Sequence, residues 1–479
     1  MKNIDLQGKR ELFWDTHLIN TSLTSAYRRQ HSPRMEEVVL SLDKPWEGDG
    51  CDYFCIVQTD GIYRMYYLAW NMLNEDSTVH TTDGIRVCVI ESKDGISWYR
   101  PELSLRSCAG CERTNIILDP TDGRFDNFFV FEDLNPDCPP SERFKATSVC
   151  VEAEQKLYSW VSEDGYEFKK VGVMSDKGAF DTLNVAMWSP ELEKYYCFIR
   201  GFHNVPGSDL NSGIRDIRYM TSEDYVNWSD PIMLDFGDAD DVPLYTNAVF
   251  RYPRAPQMLV GMPTRYVERR AWSDNFDQLT GKKPRLERMQ ASPRYGLATT
   301  DCLLMTSRDG EHWDRPDEVW VSPGIERDRN WVYGDCYPAV GVIETPSALK
   351  GAPVEYSLYM TEGHWSHRPT DIRRYTVRLD GFRSYRADYA EKKVVTKPLI
   401  YRGGELSVNF STSARGYIRI KASCEGESIC SCELFGDSLD RRVRFDGDIS
   451  KFKGKGVVFE FSMSDADLYS MAFEGEDDE

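Results

Sequence analysis

Five copies of one short phrase, each closing a strand-like run, constrain this 479-residue chain more than any other feature. They are Ser92-Lys93-Asp94-Gly95-Ile96-Ser97-Trp98, Ser162-Glu163-Asp164-Gly165-Tyr166-Glu167-Phe168, Ser222-Glu223-Asp224-Tyr225-Val226-Asn227-Trp228, Ser307-Arg308-Asp309-Gly310-Glu311-His312-Trp313 and a degenerate Asp380-Gly381-Phe382-Arg383-Ser384. An Asp at this position accepts backbone N–H groups two residues on, and Gly relieves strain where φ turns positive. The closing aromatic packs back on the sheet. Strand-like runs precede each copy, for example Arg86-Val87-Cys88-Val89-Ile90 and, further upstream, Tyr63-Arg64-Met65-Tyr66-Tyr67-Leu68. The interval between copies is 60 to 85 residues. Each unit is too short to bury its own faces and must stack on its neighbours. Several strands per unit and five units predict an all-β fold, a five-bladed β-propeller.

The blades are expected at roughly 46–103, 115–172, 178–233, 242–325 and 330–390. Residues 1–45 form an N-terminal segment that helps close the ring, which removes exposed strand edges. The propeller is expected over 46–394. After Lys397-Pro398 the phrase stops, and short alternating strands such as Gly416-Tyr417-Ile418-Arg419-Ile420-Lys421 predict a small β-sandwich over 395–479 with an acidic tail. Blade four carries a long polar and basic insert, about 267–296, expected to act as a lid or as an arm for homo-oligomer formation. The net charge of −20 and pI near 4.9 argue against nucleic acid as a partner. No run of apolar residues is long enough to span a membrane, and Met1-Lys2-Asn3-Ile4-Asp5-Leu6 has no signal-peptide pattern. The odd count of 13 cysteines, several inside strand runs, suggests a reducing, cytoplasmic setting. Cys108 and Cys111 lack a second matching pair, so neither a metal nor a cofactor is expected.

In an up-and-down blade the start of the first strand and the end of the second lie on the same face. The first-strand starts offer Asp52, Asn127, Asn184, Asn247 and Asp335. The second-strand ends offer Trp70, Glu152 or Glu154, Arg200, His203, Arg265, Glu362 and His364. Two polar rings are thus expected to meet at one mouth. Carboxylates facing one pore are costly unless used or paired. Asp52, Asp335 and Glu362 are therefore the candidate catalytic groups. Asn127, Asn184, Asn247, Trp70, Arg200, His203, Arg265 and His364 are the candidate substrate-binding groups. Arg215-Asp216 reads as a structural ion pair.

The phrase Ser222-Glu223-Asp224-Tyr225-Val226-Asn227-Trp228 resembles the turn of five-bladed glycoside hydrolases of the invertase, levanase and arabinanase kind. A ring followed by a sandwich is similar to the invertase-like fructosidases of family 32. That family's Asp-Pro-Asn, Arg-Asp-Pro and Glu-Cys motifs are missing here, and Arg215-Asp216-Ile217 lacks the Pro. The resemblance implies a glycosidase acting on a small carbohydrate, one carboxyl serving as acid and another as base or nucleophile. A glycoside phosphorylase using inorganic phosphate and a non-enzymatic sugar-binding propeller are the alternatives.

Overall fold

In a computed structural model the described residues are 3–6, 8–72, 84–150, 155–207, 209 and 212–475. The turn phrase folds as its chemistry dictates. In each of the first four copies Asp Oδ1 accepts the next two free backbone N–H groups: Ile96 and Ser97, Tyr166 and Glu167, Val226 and Asn227, Glu311 and His312. The residue after the Asp is left-handed, with φ +72° at Gly95 and +80° at Gly310. Tyr225 adopts φ 65° in the third copy without being glycine, and its buried ring packs on Phe131, Tyr195 and Trp228. Three turns also accept a tyrosine hydroxyl from the second strand of the preceding blade. Tyr66 donates to Gly165 O at 3.0 Å and Tyr196 to Asp309 O at 3.1 Å, while Tyr359 donates to Gly95 O.

The protein divides into two compact units. One, Arg34–Arg251 with Gln257–Thr376, is a five-bladed propeller. Blade one is Asp52–Thr59, Ile62–Ala69, Arg86–Ser92 and Ile116–Leu118; blade two is Phe125–Glu132, Phe144–Cys150, Lys156–Ser162 and Lys169–Ser175. Blade three is Val185–Ser189, Lys194–His203, Ile214–Ser222 and Ile232–Met233. Blade four is split into Phe250–Arg251, Leu259–Gly261 and Met305–Ser307, with Thr264–Glu268 paired to Ala298–Cys302 beyond them. Blade five is Ile343–Thr345, Glu355–Glu362 and Asp371–Val377, and its outermost strand is Arg34–Ser41 from the other end of the propeller sequence. The innermost strands of blades one and five also meet, Ile56 N donating to Val340 O and Val340 N to Phe54 O.

The insert of blade four is not an open loop. It holds three short helices, α1 (Asp274–Gln278), α2 (Lys282–Arg288) and α3 (Arg294–Leu297). The fully buried guanidinium of Arg285 donates to Gly296 O and Trp331 O, and that of Arg288 to Tyr295 O and Trp365 O. Glu287 accepts from His367 at 2.5 Å. The basic side chains that mark the insert in the sequence are thus partly spent on anchoring it to blade five.

The second unit comprises Met1–Pro33, Tyr252–Pro256 and Val377–Glu479. It is a mixed sheet built on two long antiparallel strands, Glu405–Cys424 and Gly456–Glu474. Their pairing is broken between Thr412 and Tyr417, where residues bulge out and let both strands bend. Phe410, Ile420, Phe461 and Leu468, from both halves of the two strands, share one buried core, so the sheet folds over itself as a sandwich. Strands within 383–394, expected in the ring, instead pair with Gly456–Glu474. Asp380 of the degenerate fifth phrase belongs here too. Its carboxylate accepts from Tyr252, Ser470 and Asn409 rather than capping a turn.

Among the described residues no helix is long and apolar enough to cross a membrane, and no group of three His, Cys, Asp or Glu could hold a metal ion. All cysteines are free thiols.

Candidate active site

The inner strands of four blades begin alike. A polar residue is followed by one in the left-handed region: Asp52 by Tyr53 (φ 55°), Asp126 by Asn127 (φ 54°), Asn247 by Ala248 (φ 41°) and Asp335 by Cys336 (φ 59°). None of the four left-handed residues is glycine, and such strain persists only where the surroundings enforce it. In blades one and two the pairing register slips just here, between Asp52 and Cys55 and opposite Thr147–Val149. Bulges of this kind re-aim a side chain at the rim of a sheet. The equivalence identifies Asp126, not Asn127, as the residue of blade two that matches Asp52.

Asp52, Asp126 and Asp181 form one electrostatic group. Burial pushes the Asp126 carboxyl up to about 8, with Asp181 and then Asp52 adding to it. Burial likewise raises Asp52 well above the carboxylate range, with Asp181 adding and the Trp70 side chain opposing. Asp181 is half exposed and is ion-paired at 3.0 Å to the buried Arg200. Burial alone would lower Arg200, but Asp181 and Tyr245 outweigh it and hold it above the ordinary range.

His364 completes the floor. Its ring is fully buried, which lowers its pKa to about 3, and it stacks on Trp365 at 4.5 Å. Nδ1 lies 3.1 Å from Tyr333 O and Nε2 lies 3.2 Å from Asp52 Oδ2. A carbonyl only accepts, so Nδ1 carries the ring proton and Nε2 presents its lone pair. Asp52 must then donate its acid proton to Nε2, in agreement with the opposite directions in which burial moves the two groups. Gly334 (φ +90°) makes room for the ring, since a Cβ there would fall 2.1 Å from Nδ1.

Aromatic rings surround these groups. Tyr245 packs on Tyr266 and Tyr337 at 5.9 and 5.6 Å, and Tyr333 packs on Trp365 at 4.8 Å. Tyr53 stacks on Tyr337 at 6.2 Å, and Trp70 meets Trp365 edge-on at 5.9 Å. Tyr53, Trp70, Asp126, Asp181 and Tyr295 keep part of their surface in solvent, so the group is accessible. Stacked aromatics with a few polar groups are what a sugar ring requires.

The remaining expected residues separate from this group. Asp335 and Glu362 cluster around Arg327. Burial raises Asp335 to about 7, with the Val332 N–H opposing and Glu362 adding. Burial would raise Glu362 as well, but bidentate contacts from Arg373 (2.7 and 2.9 Å) and Arg327 (3.3 and 2.7 Å) hold it below the ordinary range. That pairing removes it from the role of proton donor. Arg265 forms a bidentate pair with Asp301 across the strand pair of blade four. His203 bridges Asp216 (3.1 Å) and Asp241 (3.0 Å) in a cavity of about 380 Å³ between blades three and four. Asp216 also pairs with Arg218 rather than with Arg215. The three asparagines are buried and serve the backbone: Asn127 and Asn184 donate to Phe180 O, Asn247 to Leu183 O and Phe198 O. An amide at a strand head can satisfy neighbouring carbonyls in this way. Glu152 and Glu154 lie outside the described residues.

Sequence reasoning missed Asp126 and Asp181, each within three residues of an asparagine it chose. The available signal was residue type at matched position: Asp-Tyr, Asp-Asn and Asp-Cys at the inner-strand starts of blades one, two and five.

No family profile matches the chain, and no curated protein matches it by sequence. Solved structures do match at low identity. BT0996, solved as an RGII complex, is 11% identical with a TM-score of 0.46, the match covering 74% of this protein and 93% of that one. A glycoside hydrolase family 43 arabinoxylan arabinofuranohydrolase from Bacillus subtilis, in complex with cellotetraose, is 11% identical with a TM-score of 0.39, covering 95% and 99%. The Bombyx mori family 32 β-fructofuranosidase BmSUC1 is 9% identical with a TM-score of 0.40, covering 92% and 94%. The propeller thus resembles those of glycoside hydrolases at low identity. Similarity at this level assigns no family and carries no argument about chemistry.

Proposed function

We infer that the propeller is a glycosidase in which Asp126 donates the proton to the leaving oxygen and Asp181 acts as base or nucleophile. The observation that carries this reading is a pair of carboxyl groups, within electrostatic reach of each other, in opposite settings. Asp126 is raised to about 8 and so holds its proton at neutral pH, while Asp181 is ion-paired to Arg200. Glycosidic bond cleavage requires that division of labour. Asp52 is locked as a donor to His364, and burial together with the charge of Asp181 keeps the proton on Asp126. The aromatic walls hold the sugar and lower the local dielectric, which strengthens each charge interaction. The substrate is a small carbohydrate that fits between these rings.

The test is turnover of a panel of 4-nitrophenyl glycosides and short oligosaccharides, with and without inorganic phosphate. Asp126→Asn and Asp181→Asn are each expected to lower kcat by about 10²-fold or more. Full activity in both variants overturns the assignment. Turnover only when phosphate is present would make the reaction phosphorolysis at the same carboxyl pair.

A further inference from the structure

A guanidinium taken out of water needs an acceptor, and most in this protein have a carboxylate. Arg215 does not. It is 6% exposed, its Nε has no hydrogen-bond partner, and among the described residues it makes no ion pair, although it lines the His203 cavity with Asp216 and Asp241; rings pack against it. Its guanidinium carbon lies 4.6 Å from the Tyr266 ring, 5.7 Å from Tyr245 and 5.6 Å from Phe202. Arg200 shares two of these rings, at 5.3 Å from both Tyr245 and Phe202, and its one carboxylate is Asp181. Arg294, at the start of α3, approaches the same tyrosines from the insert. It lies 4.8 Å over the Tyr295 ring and donates to the Tyr295 hydroxyl at 3.3 Å, and Tyr295 packs on Tyr333, which in turn packs on Tyr245 and Tyr266. It too has no carboxylate partner among the described residues. Arg285 and Arg288, buried behind it, donate to backbone carbonyls.

In a protein of net charge −20, two guanidiniums without an ion-pair partner among the described residues therefore stand near the Arg200–Asp181 pair. Ring faces stabilise a cation by less than the cost of its desolvation. The guanidinium fork matches the two oxygens of a carboxylate or a phosphate. We propose that Arg215 and Arg294 bind an oxyanion: a carboxylate carried by the sugar, or inorganic phosphate. The proposal rests on placing the chemistry at Asp126 and Asp181, and it adds the charge of what is bound there. It also gives the insert a role, since α3 delivers one of the two cations.

Isothermal titration of the full-length protein at fixed ionic strength tests it, with D-glucuronate, D-galacturonate, inorganic phosphate and the neutral sugars D-glucose and D-galactose as probes. At least one anion is expected to bind about 10-fold or more tightly than the neutral sugars, and Arg215→Met and Arg294→Met should each weaken it by about 10-fold or more. Neutral-sugar binding should not change in Arg294→Met, whose half-buried position favours folding. A response to uronate alone identifies a sugar carboxylate, and a response to phosphate alone identifies inorganic phosphate; either supports the proposal. Anions that bind no tighter than D-glucose, or an Arg294→Met variant that binds them as wild type does, overturn it. The two readings fail separately. Loss of turnover in Asp126→Asn without anion binding leaves the chemistry standing and removes the oxyanion site. Anion binding lost in Arg294→Met, in a protein that turns over no glycoside, does the reverse.

Discussion

Asp126 gives the site its pH signature. With its carboxyl at about 8, the proton-donating form dominates at neutral pH and disappears above that value. We expect kcat/KM to fall about tenfold per pH unit above pH 8, a limb that is absent in Asp126→Asn. The same shift predicts a stability effect. Between the ordinary carboxylate range and about pH 8 the folded protein holds a proton that the unfolded chain has released. Stability therefore declines as pH rises through that window. Asp126→Asn removes this group's share of the decline, so its Tm should equal that of wild type near pH 4 and exceed it increasingly towards pH 8. Glu362 makes the opposite case. It is buried and held by two arginines, so Glu362→Ala should cost about 3–5 kcal/mol in denaturant unfolding. Glu362→Gln, if it folds, should retain turnover. Residue type alone does not separate the two carboxyls; only the neighbours that the fold brings to each distinguish a donor from an ion pair.

The turn phrase explains why the blades repeat as elements and how they lock together. In blades one to four its Asp, followed by Gly or, once, Tyr225, closes the third strand locally. The lock between blades comes from a residue the phrase does not contain. Tyr66, Tyr196 and Tyr359 each stand in a second strand and donate to the turn of the next blade. Tyr66→Phe and Tyr359→Phe should each lower stability by about 1 kcal/mol, measured by chemical denaturation. Asp94→Ala should cost about 1–2 kcal/mol by leaving two backbone N–H groups without their acceptor. The blade-four insert was legible as an insertion with basic residues. Its helices were not, because α1–α3 are only 5, 7 and 4 residues long and present no sustained periodicity. Burial of Arg285 and Arg288 against blade five, rather than intrinsic propensity, holds them in place.

At the scale of the propeller, closure is the decisive event. Arg34–Ser41 completes blade five by pairing with Asp371–Val377. Removing residues 34–41 should expose that strand's edge, and size-exclusion chromatography should then show aggregation and a loss of soluble protein. The sequence by itself determined what is encoded within a few residues. That covers the strands and their alternation, the Asp-centred turns and the number of blades. Each depends on side chains bonding to their own backbone or on period-two burial. Tertiary structure decided what depends on which distant residues meet. It moved strands within 383–394 to the long C-terminal strands, because their hydrogen-bond partners lie some 70 residues onward. It placed Asp126 beside Asp52, because a left-handed residue and a slipped register turn the inner strands of blades one and two by one position. A one-residue slip reverses the face a side chain takes. Composition and spacing contain no record of that slip, so the sequence led to Asn127 where the fold presents Asp126.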